Sequence, residues 1–529
     1  MDHLRDRHYD YIVCGAGTTG CVVAARLADH GNARVLLIEA GNGYAGPEVL
    51  EPAQWPLNLG SERDWGFEGQ PNPHLNGRRL SLNMGKGLGG GSSINVMVWA
   101  RGHRSDWDHF AAESGDPAWG YESVLNYYRR IENWQGSPDA VRRGSGGPVH
   151  VEQPASPQPL AWATLEAANR LGIPRYGSAN GEMMEGSGGV AITDLRIKDG
   201  KRESVYDSYI RPRLHYPNLT VLTGALVARV LLSGTQAVGV EVVIDGERHS
   251  LFADAEVVLS MGAINTPKVL MQSGVGPEDE LRSHGIAPIH HLPGVGQNLQ
   301  DHIAFGCTWE YLQPQPVSAG GCETTLYWKS DSRLDAPDLL HCQLEFAVPS
   351  PAEVDIEPPQ HGWTMFAGLA RPVSRGHLRL SGAGPLNAPL IEPNSLSAPE
   401  DMAAAFASID LCRALGNSEA FNGLIKREVV PGPKERGAMQ QFIRNSAVTY
   451  WHQSCTAKMG RDAMSVVDHQ LRVYGIEQLR IADASIMPRI TLGNTMAPCV
   501  VIGERAADLL LAAQEVIATA TATATAPNE

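Results

Sequence analysis

The sequence predicts an α/β chain, α+β overall, with a Rossmann-like domain that a second domain interrupts. Two observations carry this. A strand, glycine turn, helix and second strand follow one another at the start, and strand and helix signals return after an irregular middle stretch. The opening strand is Tyr9 to Cys14 (YDYIVC), a short, mostly apolar run that stops at Gly15. Small residues with Val22, Val23 and Leu27 suit a helix over Thr18 to Asp29, and Arg34 to Glu39 (RVLLIE) reads as the second buried strand. Leu219 to Leu232, Ala237 to Ile244 and Glu256 to Ser260 continue the strand pattern, with a turn at Ser233-Gly234. Thr495 to Gln514 reads as a helix whose first turn tolerates Pro498. Between these blocks, residues ~306 to ~440 are less regular, richer in Pro, and hold Trp309, Tyr327, Trp328, Trp363 and Phe366. The segment from Ala518 to Ala526 alternates Ala and Thr without a core face, which predicts a frayed or disordered tail over 516–529.

Whole-chain numbers narrow the function. With 529 residues, 43% hydrophobic and 19% charged, the chain can bury a large core and form two folding units. A formal net charge of −15 argues against a nucleic-acid partner or adhesion to acidic lipid, since phosphate contacts need clustered Lys and Arg. The eight Cys include no CxxC pair, so reduced, mostly buried thiols are expected. A charged N-terminus leading straight into a strand leaves no room for a signal peptide. No apolar run approaches the ~20 residues of a transmembrane segment. A cytoplasmic protein is expected.

The glycines of G-A-G-T-T-G (Gly15, Gly17, Gly20) stand at the first strand-to-helix junction. The first allows the tight turn, the second lets a pyrophosphate approach the backbone, and the third permits close helix–strand packing. The helix N-terminus at Thr18 and Thr19 then offers free N–H groups to phosphate. Glu39, followed by Ala40, closes the second strand where a carboxylate would accept from ribose hydroxyls; it would repel a 2′-phosphate. By itself this unit does not separate FAD from NAD. A second Gly-rich run, G-K-G-L-G-G-G-S-S-I-N over Gly85 to Asn95, suits backbone lying flat against a planar ligand. Further motifs are G-A-I-N-T-P-K-V-L-M-Q-S-G-V-G (Gly262 to Gly276), G-V-G-Q-N-L-Q-D-H (Gly294 to His302) and G-N-T-M-A-P (Gly493 to Pro498).

With these motifs the sequence resembles the glucose–methanol–choline family of flavoprotein oxidoreductases, from Tyr11 to about Leu511. The stretches WHQSCTAKMG and IADASIMP are most similar to its bacterial choline-dehydrogenase-like branch. The resemblance implies an FAD-binding domain built from 6–155, 200–305 and 441–515, with an antiparallel-sheet substrate domain at 156–199 and 306–440. It implies that Gly15, Gly17, Thr18, Thr19, Gly20, Glu39 and Ala40 hold the ADP half. Gly87, Gly89, Gly90, Ser92, Asn95, Val96, Met97 and Val98 would line the flavin. Val227 would meet the adenine, and Asp483, Asn494, Thr495 and Met496 would close over the ring. Some members attach FAD through a His just before the Asn of the second Gly-rich motif; Ile94 stands there, so the flavin should be non-covalent.

Removing hydride from an alcohol carbon requires a base for the hydroxyl proton and a donor to hold the oxygen. His and Asn suit these tasks, and His452 and Asn494 occupy the positions of the family's catalytic pair. Read alone, Asn494 is a loop residue at a helix N-cap. His302 reads equally as a structural residue in a turn. His341, His361 and His377 show no ligand spacing, so no metal site is expected. The expected reaction is oxidation of an alcohol CH–OH group, with oxygen or another acceptor taking the electrons. The rival is a hydroxynitrile-lyase-like member with a bystander FAD; a nicotinamide dehydrogenase and a non-catalytic flavin binder are further alternatives. Choline as substrate would want an aromatic cage and a carboxylate, and Trp309, Trp363, Phe366 and Glu345 are the candidates in the middle stretch.

Overall fold

The computed structural model describes residues 8–31, 33–43, 46–351 and 356–525. Two seven-stranded sheets organise it. In chain order their strands begin with β1 (His8–Cys14), β2 (Val35–Ile38), β3 (Gly189–Ile192), β4 (Leu219–Leu222), β5 (Leu226–Ser233), β6 (Gln236–Ile244) and β7 (Glu247–Leu259). They continue as β8 (Ile303–Tyr311), β9 (Thr324–Trp328), β10 (Leu339–Leu344), β11 (Gly362–Leu369), β12 (Ile425–Val430), β13 (Val448–Thr449) and β14 (Leu479–Ile481). Three helices bear on the site, α1 (Thr18–Asp29), α2 (Gly262–Gln272) and α4 (Met496–Thr525), while α3 (Pro399–Gly416) backs the second sheet.

The first sheet runs β4-β2-β1-β7-β6-β5, with β14 beside β7. Strands β4, β2, β1, β7 and β14 pair in parallel, while β5 and β6 return antiparallel at one edge. Helices cover the parallel part, so Ile12, Val13 and Cys14 of β1 and Val35 to Ile38 of β2 are buried as continuous apolar runs. Helix α1 follows β1 through Gly15, which stands at φ +98. A Cβ on Gly20 would lie 1.9 Å from the Gly15 carbonyl oxygen, so only glycine lets α1 settle against the turn. Thr19 Oγ1 donates to the Cys499 carbonyl at 3.2 Å, tying α1 to α4.

The second sheet runs β12-β8-β11-β10-β9-β3, with β13 beside β8, and every pairing is antiparallel. This is the antiparallel sheet the family resemblance implied. Its alternation divides labour. Phe305, Cys307 and Trp309 of β8 and Trp363 and Met365 of β11 face a core shared with α3. There Trp309 stacks on Trp363 at 4.4 Å, and Trp363 on Phe421 at 5.2 Å. Ala304, Cys342, Leu344 and Phe366, on the opposite face, look into a cavity.

The structure differs from the sequence reading at the edges. The second sheet already begins at Ile303 and takes in β13, beyond the expected limit of 440, because Ile303 and Ala304 pair with Thr449 and Val448. Helix α4 runs on to Thr525 where a disordered tail was expected, since Ala, the strongest helix former, alternates with Thr there. Residues 526–529 of that tail lie outside the described residues. Among the described residues, no helix is long and apolar enough to cross a membrane.

Candidate active site

A cavity of about 510 Å³ lies between the two sheets, lined at the ends of β1 and β2, the start of β5, the starts of α1, α2 and α4, and the second sheet's free face. Gly15, Gly17, Thr18, Thr19, Glu39, Ala40, Gly90, Ser92, Asn95, Val96, Val98, Val227, Asp483, Asn494, Thr495, Met496 and His452 all line it. Four of the expected contacts do not. Gly20 packs inside the α1 turn, Gly89 donates its N–H to the Ala16 carbonyl at 2.7 Å, and Gly87 donates to Glu39. Met97 is fully buried at φ +59. These four hold the lining in place from behind.

Its first end has the form of a phosphate and ribose cradle. No side chain caps α1 at Gly17, and a Cβ on Gly17 would meet nothing closer than 3.9 Å, which leaves room for a ligand. The second Gly-rich motif packs onto the first: a Cβ on Gly90 would approach the Gly17 Cα to 2.8 Å. Glu39 joins the two. Its carboxylate accepts from the N–H groups of Ala16 (3.0 Å), Gly41 (2.8 Å) and Gly87 (2.9 Å). Burial nonetheless holds its pKa above the ordinary value, against the pull of those N–H groups and the charge of Lys86. Glu39 is thus a clasp between motifs as well as a cavity-facing acceptor.

At the other end stand His452 and Asn494. Asn494 Nδ2 lies 3.2 Å from His452 Nε2, and His452 Nδ1 lies 2.9 Å from His302 Nδ1. An amide Nδ2 only donates, so Nε2 must accept, and the ring proton sits on Nδ1, directed at His302. His302 therefore has a definite place: it holds the tautomer that presents the Nε2 lone pair to Asn494 and the cavity. Burial, then the neighbouring His302, drives the His452 pKa well below the ordinary value, and burial lowers His302 to about 3. Both rings are neutral at ordinary pH.

Sequence reasoning passed over the anchor beneath them. Buried Asp301 accepts from the His452 N–H at 2.9 Å, from Gln453 Nε2 at 2.8 Å and from the Thr449 hydroxyl. It fixes the turn in which Trp451 takes the costly φ of +61. Burial raises its pKa to about 7. The signal was present in the adjacency of Asp301 and His302, but only the pairing of β8 with β13 brings residue 301 under residue 452. Trp55, Trp65, Met84 and Phe346 also line the cavity without a motif to announce them.

Helix α4 begins at Met496, so Thr495, whose carbonyl accepts from the Cys499 N–H, takes the N-cap position and Asn494 stands free of that duty. Asp483 accepts from the Gly262 N–H at 2.9 Å and the Thr266 hydroxyl at 2.6 Å, coupling α2 to the cavity floor. The choline-cage candidates are not brought together: Trp309 and Trp363 belong to the core, and Glu345 is spent on Ser318. Only Phe366 faces the cavity. His341 is also a core residue, its Nε2 3.1 Å from the Ser408 carbonyl oxygen. Among the described residues, no group of three His, Cys, Asp or Glu stands together as a metal site.

Two family models, both described as GMC oxidoreductase, match residues 9–304 and 372–503. An oxygen-dependent choline dehydrogenase of Brucella anthropi is 35% identical, the alignment covering 95% of each chain. The mitochondrial choline dehydrogenase of Mus musculus is 36% identical over 95% of this chain and 89% of its own. Among solved structures, a pyridoxine 4-oxidase from Mesorbium loti superposes with a TM-score of 0.89 at 32% identity, covering 94% of this chain and 98% of that one.

Proposed function

The chain belongs to the GMC oxidoreductase family, and from that premise we propose that it oxidises an uncharged alcohol to its carbonyl, with His452 as the general base. It is an FAD-dependent oxidoreductase. The single observation that carries the proposal is the neutral His452 ring, its Nε2 turned to Asn494 at the cavity wall. The lyase alternative gains no specific support.

The cavity fits the cofactor at both ends: an open glycine turn with an uncapped helix start, and a second helix start at α4. Gly17, Thr18 and Thr19 would hold the pyrophosphate, Glu39 a ribose, and Ala225 and Val227 the adenine. Ile94 lines the cavity and offers no atom for a covalent link, so the flavin is non-covalent in this reading. When bound, FAD supplies the acceptor for the hydride. His452 Nε2 takes the hydroxyl proton, and the proton it already carries stays on Nδ1 against His302. Asn494 Nδ2, which has a second N–H, holds the substrate oxygen. The wall formed by Ala304, Leu344, Phe346 and Phe366 excludes water around the reacting carbon.

The substrate's charge follows from the same wall. Among the described residues, the acidic groups lining the cavity are Glu39, at the ADP end, and Asp483, whose oxygens are engaged by α2 and Ser485. Among the described residues, no carboxylate lines the second-sheet face to neutralise a quaternary ammonium. The relatives include proteins named for choline and for pyridoxine; this wall favours an uncharged, largely apolar alcohol. A cytoplasmic setting is part of the reading, supported by eight free cysteines.

The test is anaerobic. Acid precipitation should first leave the yellow chromophore in the supernatant. The intact protein should then bleach with apolar primary alcohols, aromatic ones among them, and not with choline at equal concentration. Bleaching by choline alone would overturn the substrate class, and turnover of a hydroxynitrile without bleaching would overturn the reaction.

A pH effect follows from Asp301. Its proton leaves at about 7 in the folded chain and at about 3.9 when unfolded. Its contribution to stability is therefore full below the lower value and lost as pH rises through the upper one. Activity runs the other way, because only the carboxylate accepts from all three donors around His452. Flavin reduction should fall as pH drops through about 7, and Asp301→Asn should remove that limb. A limb that persists in Asp301→Asn belongs to another group.

A further inference from the structure

Beside the second-sheet wall of the cavity stands a pair of thiols that the proposed reaction does not use. Cys342 lies on β10 and lines the cavity beside Leu344 and Phe366. Cys322 sits just before β9 and is fully buried behind it. Their Sγ atoms are 3.2 Å apart, closer than ordinary contact between two sulfurs. A disulfide requires ~2.05 Å, so about 1 Å of approach would close the bond. Gly320 and Gly321 precede Cys322, and Gly321 stands at φ +65, so the segment bearing the buried thiol turns on glycine. Reducing surroundings keep such a pair open, and Cys342 is the member that an oxidant entering the cavity would meet.

We propose that Cys322 and Cys342 form an oxidisable dithiol in the wall of the substrate cavity, converted to a disulfide by hydrogen peroxide entering that cavity. Cys342 is attacked first, because it is the thiol that faces open space. Its sulfur displaces water from the peroxide and becomes a sulfenic acid. The Cys322 sulfur then attacks that sulfur, a second water leaves, and the S–S bond forms. One peroxide is reduced to two waters while two thiols lose two electrons and two protons. The hydrogen bond with Cys342, then burial, holds the Cys322 thiol well above its usual pKa, which makes it a poor first nucleophile and leaves its later attack to depend on proximity.

The molecule contains its own control. Cys307 and Cys412 form a second thiol pair, fully buried in the core on the far side of the same sheet. Neither lines the substrate cavity, so access from that cavity separates the two pairs.

The experiment treats the flavin-loaded protein with hydrogen peroxide, blocks remaining thiols with iodoacetamide under denaturing conditions and maps the peptides by mass spectrometry. The expected product is a Cys322–Cys342 crosslink, two hydrogens lighter, formed at least about tenfold faster than any Cys307–Cys412 crosslink. An apolar alcohol occupying the cavity should slow it, and dithiothreitol should reverse it. Cys322→Ser should keep its flavin and stop at singly oxidised Cys342; Cys342→Ser should leave Cys322 alkylatable. Cys342 recovered as an unlinked sulfinic or alkylated residue in the native protein would overturn the proposal. Equal rates for the two thiol pairs would overturn it as well.

Discussion

His452→Ala is expected to slow anaerobic flavin reduction by ~10²–10⁴-fold, the usual contribution of a general base. FAD content should stay intact, because the cofactor end of the cavity is formed by α1, Glu39 and the Gly-rich motifs, away from residue 452. The structure adds a graded series. Asn494→Ala removes one oriented donor and leaves the base, so its penalty should be milder, at most ~10²–10³-fold. His302→Ala leaves the His452 Nδ1–H without its acceptor and frees the ring to present the wrong nitrogen. Its loss should fall between wild type and His452→Ala, and His302→Gln, which retains an acceptor, should recover part of it. Stopped-flow bleaching of variants with a full flavin count decides the matter. Near wild-type reduction in His452→Ala would remove the base from the mechanism, and a fully active His302→Ala would leave His302 a packing residue.

The second large effect belongs to Glu39→Ala. Losing charge-assisted bonds to ribose hydroxyls costs about 1.5–3 kcal/mol, or roughly 10–150-fold in FAD affinity. The loss goes further than a missing ligand, because the N–H groups of Ala16, Gly41 and Gly87 lose their acceptor together. The apo-protein should therefore melt lower as well, and Glu39→Gln should lie between, since one of its two positions becomes a donor facing N–H groups. Flavin titration of the apo-protein and thermal melts separate the two effects. Unchanged FAD affinity with a lowered melting temperature would make Glu39 a clasp only.

The opening unit of the first sheet was legible because its information is local, unlike β14, which joins β7 from more than two hundred residues away. A run such as Tyr9 to Cys14, a glycine turn and a matching strand to Glu39 lie within one short segment, and the structure places them as β1, α1 and β2. The second sheet was implied by the resemblance, but its individual strands and faces were not legible, because long connections separate them and they carry Trp and Phe on a core face and a cavity face alike. Trp363 and Phe366 lie three residues apart in the sequence, and alternation along β11 sends them to opposite sides. The candidate site was legible where a motif names a residue, as with His452, Asn494 and Glu39. It was illegible where the role depends on which strand lies beside which: Asp301 under the His452 turn, His302 against the ring, and the four backing residues Gly20, Gly87, Gly89 and Met97.

That alternation has an evolutionary consequence. The faces of the second sheet answer to different selective demands while sharing the same strands. Substitutions at Ala304, Cys342, Leu344 and Phe366 would reshape the cavity wall, while Trp309 and Trp363, on the opposite face, belong to the core that holds the sheet. Changes on the cavity face could therefore come one at a time, without disturbing the cofactor end or the contact between His452 and Asn494. Divergence in substrate among relatives that superpose this closely is what such a pegboard would produce.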